Sequence, residues 1–448
     1  MSKPLSLSFA EFVSGLDLDS LPADVARKAR TCLYNGYGIG LGCHGTPYAP
    51  VARAAALAMD GERADGATML GDGRKTSVAG AALAGSALFH GRAQEDSCGA
   101  AHLGTILIPL LTALIEARDI PVARLLPALV AGYEIGGTLE ANYAGQTTPG
   151  GLRASPLYGS VGAAAAVANL LGLNADRTQA ALANAAHFSG GILQSFADGT
   201  DEWRYQVGMA GRIGLVAAEL ARAGSVASPL AFEGKAGFVK AFARVDCDAD
   251  AIAGKLGQAW QIHRVTFKPF PVCAFNQTPV TAALEIRDKL NGRPIKAARV
   301  RMNPYECGYA GMDATGPFQS ISGTLMSIPF CIAATLVHGR PSMEMMTTYD
   351  DAAVNALESR ITLVSDPEVP TLSAKIDLEF EDGATLSHDQ PMTVADFNFD
   401  WDRVAALVRG IGAEQGIPAT AYDRIADFAD GLPDGDIGQV LAAFAELP

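Results

Sequence analysis

The sequence predicts a mainly α-helical protein with a smaller α+β domain, and three observations carry that expectation. Ala- and Leu-rich segments with helical spacing fill most of residues 1–267, alternation of apolar and charged residues begins only after Phe267, and a helical pattern returns at Trp401. A chain of 448 residues is also too long for one simple core, so two domains are expected. The expected division is a helical domain over 1–267, an α+β lid over 268–395, and C-terminal helices over 396–448 that pack back on the first domain, so that both chain ends build the helical part.

In chain order, Pro22 opens a helix that runs through Tyr34, with Val25, Ala29 and Leu33 at helical spacing. Gly40-Leu-Gly-Cys-His-Gly45 fits G-x-G-x-x-G, but it ends a helix and follows no strand. A dinucleotide site needs strand, turn and helix, so close helix packing is the expected use of these glycines. Further helices are predicted over 79–87, 103–117, 122–140, 159–173, 177–187 and 207–223, with small residues on the facing positions. Lys268-Pro-Phe-Pro-Val-Cys273 follows; its prolines fix φ and remove backbone donors, so it reads as a stiff extended crossing. Beyond it, Val300 and Met302 alternate with Arg299 and Arg301, and Ile376, Leu378 and Phe380 alternate with Lys375, Asp377 and Glu379. Asp382-Gly383 supplies a hairpin turn, and antiparallel strands with one wet face are predicted. Helices over 278–290, 328–338 and 351–360 lie between them.

Composition excludes several functions. The net charge of -14 and the lack of a Lys/Arg run argue against a nucleic-acid partner. The longest apolar run, Leu103 to Ile115, is too short to span a membrane, and the first residues show no basic region followed by an apolar one, so no signal peptide is expected. Seven scattered cysteines without a C-x-x-C pair suit reduced thiols in a cytoplasmic protein. No Walker loop, no G-x-S-x-G and no matched set of metal ligands appears, so neither a metal nor a cofactor is expected.

Three stretches carry chemistry. His90-Gly-Arg-Ala-Gln-Glu-Asp96-Ser97 with His102 gathers acids, a hydroxyl and two imidazoles in a polar turn between apolar helices. Such groups serve as general acids and bases when burial moves their pKa toward neutrality; the alternative is helix capping by Asp96 and a buried, satisfied His102. Lys268 places a cation on the stiff crossing, where it either meets a carboxylate in a cleft or is a solvated linker residue. Arg153 and Arg204 each precede an Ala-rich helix, a good setting for trapping a carboxylate, though an exposed loop arginine is the plainer reading of each.

The ordered set of His90…Glu95-Asp96-Ser97…His102, the Gly159–Leu173 segment, Gly208…Gly214…Gly224, Phe232-Glu-Gly…Gly237-Phe, Lys268-Pro-Phe-Pro-Val-Cys273 and Ser327-Ile-Pro-Phe…Gly339 resembles the MmgE/PrpD family over nearly the whole chain. That family includes 2-methylcitrate dehydratase, cis-aconitate decarboxylase and iminodisuccinate epimerase. The resemblance implies a helical domain made by both chain ends, an α+β lid, a cleft between them, a homodimer and no cofactor. The departures give direction. Asp-Asp-Thr becomes Glu95-Asp96-Ser97, and His-Pro becomes His102-Leu103. Arg153 stands where the family has a histidine, Trp203 where it has a lysine, and Gln277 where it has a second histidine. Lost proton donors argue against expelling hydroxide or CO2, and gained arginines argue for holding carboxylates, as iminodisuccinate epimerase would require. The expected function is therefore a cofactor-independent epimerase acting beside a carboxylate of a polycarboxylate such as iminodisuccinate. A dehydratase or decarboxylase of a tricarboxylate is the second reading and a non-catalytic binding protein the third. His102 and Lys268 are expected to move protons with Asp96 orienting His102, and Tyr158 and Tyr143 are further candidates. Arg153, Arg204, Ser97, Gln277, His90 and Trp203 are expected to bind substrate.

Overall fold

Glycines decide how the two ends of the chain meet. The computed structural model describes residues 3–448. The helix Ala23–Gly42 carries glycine at alternate positions near its end, and a Cβ added at Gly38 would lie 2.6 Å from Val408, one at Gly42 2.3 Å from Ile411. Both contacts belong to the helix Trp401–Gln415, so the G-x-G stretch serves close packing, as expected from its place at a helix end. The first core accordingly gathers Leu5 through Phe267 together with Phe399 through Phe444. Two helices, Leu5–Gly15 and Tyr48–Asp60, were not expected from the spacing; alanines on several faces of the second hide its period.

The central helices Gly104–Arg118, Leu125–Thr147 and Ala154–Leu170 are buried on most faces, and Glu202–Ala223 packs one face against them. A helix that is apolar all round belongs in the middle of a bundle. None of the helices among the described residues is long and apolar enough to cross a membrane.

A second core lies under the sheet, formed by Phe270, Val280, Ile286, Val300, Ile332, Ile376 and Phe380 with their neighbours. The sheet has four strands in the order Ile361–Ser365, Ile295–Met302, Ala374–Phe380, Thr385–Gln390. The last two form the expected hairpin, with Gly383 at φ 83° in the turn. Ile361–Ser365 pairs parallel to Ile295–Met302, which corrects the all-antiparallel expectation. The helix Ala352–Glu358 leads into that strand and lets the chain re-enter in the same direction. The protein is thus mainly helical with a smaller α+β unit near its C-terminal end.

One short ladder positions the chemistry. Ser97 and Cys98 pair antiparallel with Thr266 and Val265. This fastens the acidic turn to the start of the Lys268 crossing. Gly99 closes the turn at φ 60°, and a Cβ there would lie 2.2 Å from Glu140 Oε1. Only glycine both adopts this backbone cheaply and leaves Glu140 room to accept from the Ala100 N–H at 2.8 Å.

Candidate active site

A cavity of about 310 Å³ opens between the helical part and the sheet unit. Ser97, His102 and Glu140 line it from the helices, Arg264, Phe267 and Lys268 from the crossing, and Cys273, Phe275, Tyr305, Glu306, Tyr309, Leu372 and Phe397 from the other side. Its size suits a small organic acid.

Glu95 organises the polar end. The Lys268 ammonium donates to Glu95 Oε1 at 2.5 Å and to the Ala93 carbonyl at 2.8 Å. Both side chains are almost fully buried. An ammonium has three N–H donors, so one remains for the cavity that Lys268 lines. His90 Nδ1 lies 3.0 Å from Glu95 Oε2, and His102 Nδ1 lies 3.3 Å from Glu95 Oε1. Burial by itself would raise the Glu95 pKa, but the groups that face it, His90, Lys268 and His102, hold its carboxyl well below the ordinary range. The imidazoles go the other way. Burial lowers His90 to about 4 and lowers His102 well below its usual value, so both rings are neutral.

The hydrogen bonds assign the tautomers. His102 Nδ1 faces the Asp96 carbonyl at 3.0 Å and Ser97 Oγ at 3.2 Å, so this nitrogen carries the proton. Its Nε2 then holds a lone pair, the form a general base needs. The Arg153 guanidinium donates to His90 Nε2 at 2.7 Å, which places the His90 proton on Nδ1 toward Glu95.

Several expected residues lie elsewhere. The Asp96 carboxylate does not orient His102; it accepts from the Tyr133 hydroxyl, and only the Asp96 main-chain carbonyl meets the imidazole. Glu95 rather than Asp96 faces Lys268. Arg153 does not line the cavity. It is buried, donates to the Trp203 carbonyl and to Gln206 Oε1, and faces the rings of Phe196 and Trp203. Arg204 is likewise buried, between Tyr48 and Trp203, and donates to Ser322 Oγ at 2.5 Å. The expected pair of carboxylate forks is therefore not formed at the cavity wall, because aromatic side chains enclose both guanidinium groups. Trp203 packs edge-on against His90 and donates to Ser322 Oγ. His90 is fully buried behind Glu95. Gln277 reaches the cavity edge, but its amide is used by the Phe270, Val272 and Cys273 carbonyls and the Phe270 N–H, which hold the Pro-rich crossing in shape. The Tyr158 hydroxyl meets Thr147 Oγ1 at 2.7 Å, and the Tyr143 hydroxyl donates to Cys247 Sγ at 3.3 Å; neither tyrosine lines the cavity.

The sequence placed Glu95 in the acidic turn without giving it a role of its own, and Arg264, Glu140, Tyr305, Glu306 and Tyr309 were not expected at the site. Arg264 donates to Glu140 Oε2 at 2.8 Å. Glu306 accepts from the Leu372 N–H at 2.8 Å, and burial raises its carboxyl to about 7. No three His, Cys, Asp or Glu side chains among the described residues are grouped to hold a metal ion. The carboxylate between the two imidazoles is already held by Lys268.

Asp96 supplies a pH test. Burial raises it to about 6 from an ordinary 3.8. The fold favours its neutral form, so its stabilising contribution is complete below pH ~4, declines as pH rises through ~6, and is constant above. Asp96→Asn fixes a neutral group of the same shape. Urea unfolding should show the variant gaining on the wild type between pH 4 and 6 and holding that gain at pH 8; a gap that ignores pH would mean Asp96 is ionised throughout.

Residues 7–248 match the MmgE/PrpD N-terminal domain and residues 270–396 the MmgE/PrpD C-terminal domain. The chain is also similar to the cis-aconitate decarboxylase-like protein oryM of Aspergillus oryzae (strain ATCC 42149 / RIB 40), with 26% identity over 445 residues, covering 90% of this chain and 91% of that protein. With both domains matched in order and the first spanning more than half of its length, the chain belongs to the MmgE/PrpD family.

Proposed function

We propose that this protein is a cofactor-independent enzyme that removes the proton on a carbon next to a carboxylate and returns it, as an epimerase. The observation that carries the reading is the neutral His102 with its proton fixed on Nδ1, beside the Lys268 ammonium in one cavity. His102 Nε2 takes the α-proton. The electron pair left on carbon moves into the adjacent carboxylate, and the free N–H of Lys268 stabilises the enediolate that forms. Glu95 stabilises the imidazolium at Nδ1–H. Because His102 and Lys268 both flank Glu95 Oε1, they approach the substrate from one side. Return of the proton to the opposite face falls to the other wall, where Tyr305, Tyr309 and Glu306 stand.

The reading favours epimerisation over elimination because Arg153, Trp203 and Gln277 replace proton donors and none of them reaches the cavity as an acid. Iminodisuccinate is one candidate substrate among α-substituted acids; of its four carboxylates, the cavity meets only those within reach of Lys268 and Arg264. A decarboxylase acting on a tricarboxylate is the second reading, favoured by the name of the relative above. A chiral separation decides between them. Incubating single stereoisomers of a panel of α-substituted acids, iminodisuccinate among them, should yield the epimer of at least one with no loss of mass, and cis-aconitate should release no CO2. Release of CO2 from cis-aconitate, with every acid of the panel unchanged, assigns the lyase instead.

A further inference from the structure

The cations that line the cavity are already paired within the protein. Lys268 is paired with Glu95 and Arg264 with Glu140, so each cation meets a carboxylate of the protein before any ligand arrives. Beyond this polar end, Tyr305, Glu306, Tyr309 and Thr371 share the wall with an apolar group: Phe267, Phe275, Leu372, Val394 and Phe397. Val394 stands 47% exposed, a solvent-facing valine at the rim. Leu372 is held at φ 60°, a left-handed conformation that a leucine rarely adopts. Two hydrogen bonds hold it there: its N–H to Glu306 at 2.8 Å and its carbonyl from Thr278 Oγ1 at 2.8 Å. A strained backbone that keeps a leucine on a cavity wall is built for an apolar contact.

Taking the proton-abstraction site above as the place where substrate binds, we propose that the substrate is a carboxylic acid bearing an apolar arm, its carboxylate at Lys268 and its arm against Phe275, Leu372, Val394 and Phe397. A small, highly charged polycarboxylate would leave this apolar half unfilled. It would also bring its further carboxylates near Glu140, which is paired with Arg264.

Isothermal titration with succinate, n-butylsuccinate and tricarballylate at one pH tests this. The butyl arm should tighten binding by about tenfold or more over succinate, since each methylene removed from water adds to affinity. Tricarballylate should gain nothing over succinate. Leu372→Gly is the matched variant, because glycine accepts φ 60° without strain while the side chain is lost. It should erase most of the butyl advantage and leave succinate unchanged. Tricarballylate binding more tightly than n-butylsuccinate overturns the proposal while leaving the proton-abstraction site intact. Equal weakening of both succinates in Leu372→Gly also overturns it, since the leucine then acts only on the fold. Binding of none of the three acids removes the acid-binding site and this proposal with it.

Discussion

Lys268→Met is expected to abolish turnover and to lower the unfolding free energy by about 3–5 kcal/mol, the scale for breaking one half of a buried ion pair. The ammonium is the nearest cation to Glu95, and both groups are shielded from water. Removing it strands a carboxylate beside two neutral imidazoles. A Lys268 that was only a linker residue would leave both activity and stability intact, and the Pro-flanked sequence alone allowed a loss of activity without loss of fold. The buried pair changes that expectation. Adding Glu95→Gln to Lys268→Met removes the stranded charge, so the double variant should regain much of the stability and none of the activity. Urea unfolding and steady-state rates on the two variants check it; a double variant as unstable as the single one would mean that Lys268 contributes by packing.

His102→Asn is expected to lower kcat by roughly 10²–10⁴, the range for removing a positioned general base. The asparagine amide can still donate to the Asp96 carbonyl in place of Nδ1–H, but it has nothing at the Nε2 position. Stability should change little, since the ring is partly open to the cavity. Because burial lowers His102 well below its usual pKa, its ring should show no titration near pH 6.5 when its imidazole signal is followed by NMR. A chemical-shift change centred there would mean that the imidazole is solvated and ordinary. Full activity of His102→Asn would remove it from the mechanism.

The helices, the hairpin and the Lys268 crossing were legible in the sequence because each has a local cause: helical spacing, Asp-Gly in a turn, prolines that fix φ. The parallel edge strand Ile361–Ser365 was not, since its direction depends on where the preceding helix delivers the chain. At the site, Lys268, His102 and Ser97 stood out as polar residues in an apolar setting, and all three line the cavity. Arg153 stood out for the same reason, yet it turns away, because His90, Gln206 and the Trp203 carbonyl lie within its reach. No local pattern distinguishes an arginine that meets a ligand from one that braces a histidine. Glu95 was beside a more obvious acid, and only the pairing of Ser97 with Thr266 shows which of the two carboxylates faces Lys268. Arg264, Tyr305, Glu306 and Tyr309 reach the cavity through tertiary packing, without a local signal that marks them.

The central claim is that His102 takes a proton from the carbon beside a carboxylate. Proton NMR in D2O tests it most directly, with wild type and His102→Asn run side by side on a panel of α-substituted acids that includes single stereoisomers of iminodisuccinate. The account predicts that, with at least one acid, the wild type replaces the α-proton by deuterium as the epimer appears, with no vinyl signal and no loss of CO2, and that His102→Asn leaves the α-proton in place. Exchange at the wild-type rate in His102→Asn, or a vinyl product formed by the wild type without epimer, would contradict it.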